Sequence, residues 1–571
     1  MYCRVIACDF DGTGAANGRL APETASVLAS ARALGFVTLL VTGRVLEDLQ
    51  AAQVPFASFD AVVAENGALV WLPATNRTIQ LAPPPPDAFL AELRARGIPY
   101  HAGAVVVGTW DRHGSDILHL IRRFGMASQL VYNRESLMVL PSGVDKAVGV
   151  QRALDELHRS PRSMVAFGDA ENDRPLLELA EVGIAARGSV PAIATAADDR
   201  LALPGAAGVA HYVQRLLDRG GSLETPARRR IVVGEGEDGK PVALPTSGVN
   251  VTISGDPRSG KSWMAGLLVE ALVEQGYVLC VFDPEGDYTV LGGRPRVLVL
   301  GADVPLPAPA ALPNVLRDEP SSLVVNLAPL AHADKVRYVE TAVACLDAAR
   351  AVSGIPHWVV LDEAHYFLHA RTALARRFEG RTGSYAFVTY RPSLLAPAVL
   401  ADVNAHLVMR TTLEEERYFL TGLLQAHGPR DLVASDALAR VQEGRPALLL
   451  DVAGAPSWRL FTPAPRTTAQ AHHGRKYADT LLPGDRAFRF REDGAGTVAR
   501  SVVEFAAAVE RVPMASLRHH LLGGDFSRWA ADVLGDVRLA AAFRKLEETT
   551  RVGAAPSRAE LLAHVRDLYA I

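Results

Sequence analysis

Short apolar runs alternate with helix-like stretches along most of this 571-residue chain, and that alternation commits it to parallel α/β sheets. A first series, Val5 to Cys8, Val37 to Val41, Ala61 to Ala64 and Ser163 to Phe167, extends to about Leu217. The stretch 218–230, DRGGSLETPARRR, is glycine-rich and then basic, lacks apolar periodicity, and reads as a linker. A second series follows: Val249 to Ser254, Tyr277 to Phe282, Ser322 to Leu327, Trp358 to Leu361, Ala386 to Tyr390 and Ala405 to Met409. Pro, Thr, His and Gly break the pattern between Pro463 and Asp485, and beyond it Val502, Phe505, Ala506 and Val509 recur at helical spacing. The expected organisation is an α/β domain over 1–217, a second over 231–465 and a small helical module over 486–571, with linkers at 218–230 and 466–485.

Composition narrows the setting. The four cysteines, Cys3, Cys8, Cys280 and Cys345, show no CxxC spacing, so neither a disulfide framework nor a zinc site is expected. The start, Met1 to Phe10, has no basic flank and leads directly into carboxylates, which reads as a buried strand and not a signal peptide. No apolar run approaches the roughly 18 residues of a membrane span. A reducing, cytoplasmic location without membrane attachment is the expectation. The net charge of -4 supplies no global attraction to nucleic acid.

Asp9-Phe10-Asp11-Gly12-Thr13 directly follows an apolar strand, which sets two carboxylates at a carboxyl strand end, where open α/β sheets bind ligands. One can attack phosphorus and the other can protonate the leaving oxygen. Thr42, in Thr42-Gly43-Arg44, can hold a phosphate oxygen, and Lys146 can neutralise charge that develops on transfer. Gly168-Asp169-Ala170-Glu171-Asn172-Asp173 ends a further strand with the clustered acids that Mg²⁺ requires. DxD or GDxxND alone reads equally as an acidic turn; in this order, with Thr42 and Lys146 between them, they resemble the Cof-like branch of the haloacid dehalogenase superfamily phosphatases. The resemblance covers residues 1 to about 217 and extends to Glu65-Asn66-Gly67-Ala68, while Gly14 stands where a leucine is usual. It implies a Rossmann-like domain with a small cap at about 83–140. It also implies Asp9 as the residue that becomes aspartyl-phosphate, Asp11 as general acid/base, Thr42 and Lys146 as phosphate binders, and Asp9, Asp11, Asp169 and Asp173 around Mg²⁺, with Asn172 beside them. The short cap favours a small phosphorylated metabolite.

Gly255-Asp256-Pro257-Arg258-Ser259-Gly260-Lys261-Ser262 fits GxxxxGK[ST] between an apolar strand and a helical stretch. Backbone N–H groups of Gly255, Arg258, Ser259 and Gly260 can cradle ATP phosphates, Lys261 can reach the β/γ oxygens and Ser262 can ligate Mg²⁺. The strand Trp358 to Leu361 ends in Asp362, a second Mg²⁺-side acid, and Glu363, a base for water. With Asp283-Pro284-Glu285-Gly286-Asp287-Tyr288 and Thr389-Tyr390-Arg391-Pro392, residues 231 to 465 resemble the HerA/FtsK-type P-loop (RecA-like) ATPases, although Tyr390 replaces the usual glutamine. That resemblance implies a ring, with a hexamer as the expected size and Arg391 reaching a neighbour's nucleotide. His365 reads as structural.

Residues 231–465 hold 20 Lys and Arg against 26 Asp and Glu, so DNA is not favoured by charge. The one basic cluster, Arg371, Arg376, Arg377 and Arg381, reads first as a solvated helix face. The expected function is a Mg²⁺-dependent phosphohydrolase acting on a small phosphate ester, fused to an ATP-hydrolysing, ring-forming domain. The alternatives are a HerA-like DNA translocase whose phosphatase processes nucleotides or DNA ends, and an ATP-dependent scaffold. The C-terminal module resembles a small domain of unknown function.

Overall fold

The computed structural model describes residues 2–569 except 134, 258, 319–320, 379–383, 443, 453–454, 469–477, 479–481, 483, 485, 492–495, 535 and 556. Met1–Pro284 with Leu291–Thr467 form one compact unit, and Glu285–Val290 with Thr468–Ile571 form a second.

The first unit contains two large sheets. Strands β1 (Val5–Asp9), β2 (Val37–Val41), β3 (Ala61–Ala64), β4 (Leu69–Leu72) and β5 (Arg77–Gln80) belong to the first. An inserted four-stranded antiparallel sheet follows: β6 (His101–Ala102), β7 (Val107–Trp110), β8 (Ser128–Asn133) and β9 (Ser136–Pro141). With the helices Asp87–Ala95 and Gly114–Arg123 it encloses its own small core around Phe89, Leu120 and Leu137. The chain then returns through β10 (Met164–Gly168), β11 (Val182–Arg187) and β12 (Asp199–Pro204). The strand order is β12-β11-β10-β1-β2-β3-β4-β5, parallel from β12 to β3, with β4 and β5 an antiparallel edge. β1 lies at the centre and every one of its residues is buried, so its continuous apolar pattern reflects cover on both faces.

The second sheet has eleven strands. It comprises β13 (Arg230–Gly236), β14 (Pro241–Pro245), β15 (Val251–Ser254), β16 (Leu279–Asp283), β17 (Val297–Leu300), β18 (Ser322–Asn326), β19 (Trp358–Leu361), β20 (Tyr385–Thr389), β21 (Ala405–Val408), β22 (Ala447–Val452) and β23 (Ala455–Pro463). The order β14-β13-β23-β22-β21-β15-β20-β19-β16-β18-β17 inserts β20 between β15 and β19. The antiparallel edge from β22 to β14 carries no strand-helix alternation, so the sequence pattern shows only the parallel part.

The two sheets meet at their amino ends. Arg162 Nε, just before β10, donates to the Gln275 carbonyl at 2.8 Å. The Tyr277 hydroxyl, just before β16, reaches Glu181, just before β11. The stretch 218–230 is fastened to the first sheet: Arg228 pairs with Asp198 and caps the carbonyls of Leu177 and Ala180. Arg229 donates to the Glu178 and Ala180 carbonyls. A five-residue strand is about 16 Å long, so each sheet's carboxyl end lies about that far from the junction along its own strands.

The second unit is mainly helical, with Val502–Arg511, Met514–Gly523, Val537–Arg551 and Arg558–Tyr569 around an aromatic core in which Phe505 stacks on Trp529 at 4.8 Å. Among the described residues of the chain, no helix is long and apolar enough to cross a membrane.

Candidate functional sites

Because β1 and β10 are adjacent and parallel, their ends bring Asp9 beside Asp169 and, one short turn later, Asp173. All three are buried, and one oxygen from each lies within 4.8 Å of the others. Lys146 opens the helix Lys146–Glu156, is itself buried, and donates to Asp9 Oδ1 at 2.6 Å and to Asp173 Oδ1. The second Asp173 oxygen accepts from the backbone N–H groups of Asp169 and Ala170 at 2.9 and 3.0 Å, which fixes the turn. Burial first, and then Asp173, push the Asp9 carboxyl well above its usual range, opposed by Lys146. Burial alone would lower Lys146, but Asp173 and Asp9 together override it and raise it. Three carboxylates against one ammonium leave a double negative charge on hard oxygen donors when all are ionised, a set that fits a divalent cation such as Mg²⁺. Asn172 Oδ1, buried and without a hydrogen-bond partner among the described residues, adds an oxygen at the same turn.

Asp11 and Thr42 close the other side. Asp11 is half-exposed and held by Arg44 through a two-point contact, Nε to Oδ2 at 2.8 Å and Nη2 to Oδ1 at 2.6 Å. Thr42 Oγ1 accepts from the Arg44 backbone N–H at 3.1 Å, which leaves its own hydrogen to donate elsewhere. Arg44 is the residue that motif reading missed, although Thr42-Gly43-Arg44 stands in the sequence. Gly14, where a leucine is usual, lies so close to Cys8 that a Cβ would come within 2.8 Å of its sulfur.

In the second sheet, the loop 255–260 joins β15 to the helix Lys261–Glu274, with Gly255 and Gly260 at positive φ. Arg258 lies outside the described residues. Lys261 Nζ donates to the Asp256 carbonyl at 2.8 Å, and Asp256 Oδ2 accepts from Thr412 N and Oγ1 at 2.9 and 2.8 Å, tying the loop to the segment after β21. Ser254 Oγ and Ser259 Oγ are buried without partners among the described residues, hydroxyls suited to phosphate or a hydrated cation. Ser262 follows Lys261 in the helix's first turn.

Asp362 and Glu363 follow β19, and Glu363 is held at φ 47°, a left-handed conformation costing a non-glycine residue about 1–3 kcal/mol and typical of functional turns. His365 Nδ1 lies 3.0 Å from Thr389 Oγ1 and 3.5 Å from Glu363 Oε2. Burial, then Arg391 and Lys261, lower its pKa to about 4, so it is neutral at pH 7. Arg391 Nε lies 3.1 Å from buried Glu416 Oε1 and Nη2 3.3 Å from Glu415, both of its own chain. Of the basic cluster, Arg371 and Arg376 are exposed and Arg381 lies outside the described residues.

Comparison with known proteins finds a match within each of the two sheets' segments. Residues 118–213 match the family described as haloacid dehalogenase-like hydrolase, and residues 255–347 match the central domain of helicase HerA. Phosphoglycolate phosphatase 2 of Saccharolobus solfataricus is 33% identical over 120 residues, 21% of this chain and 49% of that protein, so the chain spans about half the length of that relative. Phosphoglycolate phosphatase of Natronomonas pharaonis is 32% identical over 153 residues, 24% of this chain and 67% of that protein. A haloacid dehalogenase-like hydrolase from Bacteroides thetaiotaomicron of known structure is 17% identical, with a TM-score of 0.33, over 38% of this chain and 99% of its own. Through its first sheet the chain belongs to the haloacid dehalogenase-like hydrolases, and within its second, residues 255–347 are similar to the HerA central domain.

Proposed function

We propose that the first sheet houses a Mg²⁺-dependent phosphohydrolase for a small phosphate ester and that the second houses an ATPase. The observation that carries the first part is the buried convergence of Asp9, Asp169 and Asp173 with Lys146 at the end of β1. An Asp9 carboxylate oxygen attacks phosphorus, the P–O bond to the ester breaks, and the leaving alkoxide takes a proton from Asp11. Water then attacks the resulting aspartyl-phosphate, gives its proton to Asp11 and releases inorganic phosphate, restoring Asp9. Thr42 and Lys146 hold phosphate oxygens through both steps, and Arg44 keeps Asp11 aimed at the leaving group. Asp9, Asp169 and Asp173, with Asp11 beside them, would hold Mg²⁺, which when bound would offset the anionic charge of phosphate and acids.

The relatives named for phosphoglycolate make a two- or three-carbon phosphate ester the first candidate. At the second site, Lys261 and the loop N–H groups would hold the ATP phosphates, Ser262 and Asp362 would hold Mg²⁺, and Glu363 would activate water. Arg391 leaves Glu416 and reaches a neighbour's nucleotide in a ring, which we place at six copies. The HerA match also raises a second reading, DNA movement, which the excess of acidic residues in 231–465 opposes. Release of phosphate from 2-phosphoglycolate and a panel of phosphate esters, measured with and without ATP, Mg²⁺ and DNA, tests these assignments. Failure to hydrolyse any ester in Mg²⁺ would overturn the phosphatase reading; DNA-stimulated ATP turnover would favour the second.

A further inference from the structure

Glu65, Asn66 and Gly67 are three consecutive residues at positive φ, 51°, 53° and 100°, and the first two are not glycine. Such a run persists only where its surroundings enforce it. On one side it rests on the loop after β2: the Glu65 N–H donates to the Arg44 carbonyl at 2.9 Å and the Asn66 N–H to the Thr42 carbonyl at 3.0 Å. Asn66 Oδ1 accepts from Asn172 at 2.9 Å, which adds the turn after β10. On the other side the Glu65 carboxylate, almost wholly buried, leaves the first sheet's domain and enters the inserted sheet. Oε1 accepts from the Ala104 N–H at 2.8 Å, and Oε2 from the Val105 and Val106 N–H groups at 2.8 and 3.0 Å. Gly103 is required there, since a Cβ would stand 2.5 Å from the carboxylate carbon.

From this geometry we infer that Glu65 is a positioning residue that latches the inserted sheet, as a cap, over the phosphatase site: its carboxylate grips the loop between β6 and β7 while its backbone grips the loop that carries Thr42 and Arg44. This rests on the phosphatase reading above. A buried carboxylate that accepts three successive N–H groups makes charge-assisted bonds that a neutral side chain cannot replace. A glutamine offers one acceptor oxygen where the loop needs two, and an alanine offers none. The cap can open only by surrendering all three bonds, so the latch sets how long substrate stays enclosed.

Hydrogen exchange in the full-length protein separates the latch from the chemistry. In Glu65→Ala, amides 104–106 should exchange at least about ten-fold faster, with Glu65→Gln between it and wild type, whereas Asp9→Asn should leave them unchanged. Gly103→Ala, which presses on the latch from the cap side, should also speed exchange; combined with Glu65→Ala it should add little, because the clash is then gone. With 2-phosphoglycolate as probe, KM should rise in Glu65→Ala more than kcat falls, and Glu65→Asp should recover part of the loss. Unchanged exchange at 104–106, or additive effects of the two substitutions, overturns the latch even if the protein is an active phosphatase. If wild type hydrolyses no ester, the phosphatase reading falls and exchange alone decides the latch.

Discussion

The Tyr277 hydroxyl lies 2.8 and 2.9 Å from the two oxygens of Glu181 and 2.7 Å from Thr246 Oγ1, joining the amino end of β16 to that of β11. Glu181 is fully buried, with Arg229 at 3.5 Å and Arg162 at 3.8 Å, and burial raises its pKa against their pull. A buried carboxylate met from both sheets makes the junction a packed interface and not a hinge. Both candidate sites lie at the opposite ends of the strands, so neither opens onto this junction.

Tyr277→Phe therefore leaves Glu181 short of a donor and should destabilise the first unit by about 1–3 kcal/mol, the cost of an unsatisfied buried polar group. Denaturant unfolding followed by tryptophan fluorescence measures it, and an unchanged midpoint would show that the junction contributes no stability.

His357 adds a pH dependence at the same junction. Its Nδ1 accepts the Val278 N–H at 2.8 Å, and burial, then Arg162 and Arg350, lower its pKa from 6.5 to about 3. A base whose folded pKa is lowered contributes stability above its unfolded pKa and loses it as pH falls through the window from 6.5 to about 3. Between pH 7 and pH 5 the loss from this one group is about 2 kcal/mol. His357→Gln should be less acid-sensitive by about that amount in urea titrations at the two pH values.

At the first site, Asp9→Asn should abolish ester hydrolysis, because an amide is no nucleophile, while ATP turnover stays within about two-fold of wild type. Arg44→Lys replaces a two-point fork by a point charge and should lower kcat for alkyl phosphates by about ten-fold or more. Aryl phosphates, whose leaving groups need less protonation, should be affected less. Equal losses on both ester classes would remove Arg44 from the alignment of Asp11.

At the second site, Lys261→Ala should weaken ATP binding, whereas Glu363→Gln should retain binding and slow hydrolysis. Binding of a fluorescent nucleotide and phosphate release read the two defects separately, and full turnover by Glu363→Gln would rule it out as the base.

Arg391→Ala and Lys261→Ala chains, each inactive alone, should recover partial ATPase activity when mixed, since an arginine supplied in trans is worth on the order of 10³-fold in turnover. Light scattering that shows a fully active monomer with ATP bound would end the ring proposal and leave Arg391 as the partner of Glu416 in its own chain.

The sequence by itself determined the α/β class and the residues at both strand ends. Asp9, Asp169, Gly255 and Asp362 each follow an apolar run, and a parallel sheet needs both continuous apolar strands and polar groups where they end. It also carried Lys146 and Lys261, each legible from its place among the motif residues. Arg44 as the holder of Asp11 could not be read, because that pairing spans two loops brought together only by the β1-β2 neighbourhood. Glu65 stood within a recognised motif, yet its partners are backbone N–H groups some forty residues away, and every non-proline residue has one. The stretch 218–230 reads as a linker from composition, whereas Arg228 and Arg229 fasten it to carbonyls of 177–180 that no residue type announces. The meeting of the two sheets at their amino ends depends on Glu181, Tyr277 and His357, three residues with no shared motif. Only tertiary structure decided these contacts, because long-range partners are selected by shape and desolvation, and local periodicity records neither.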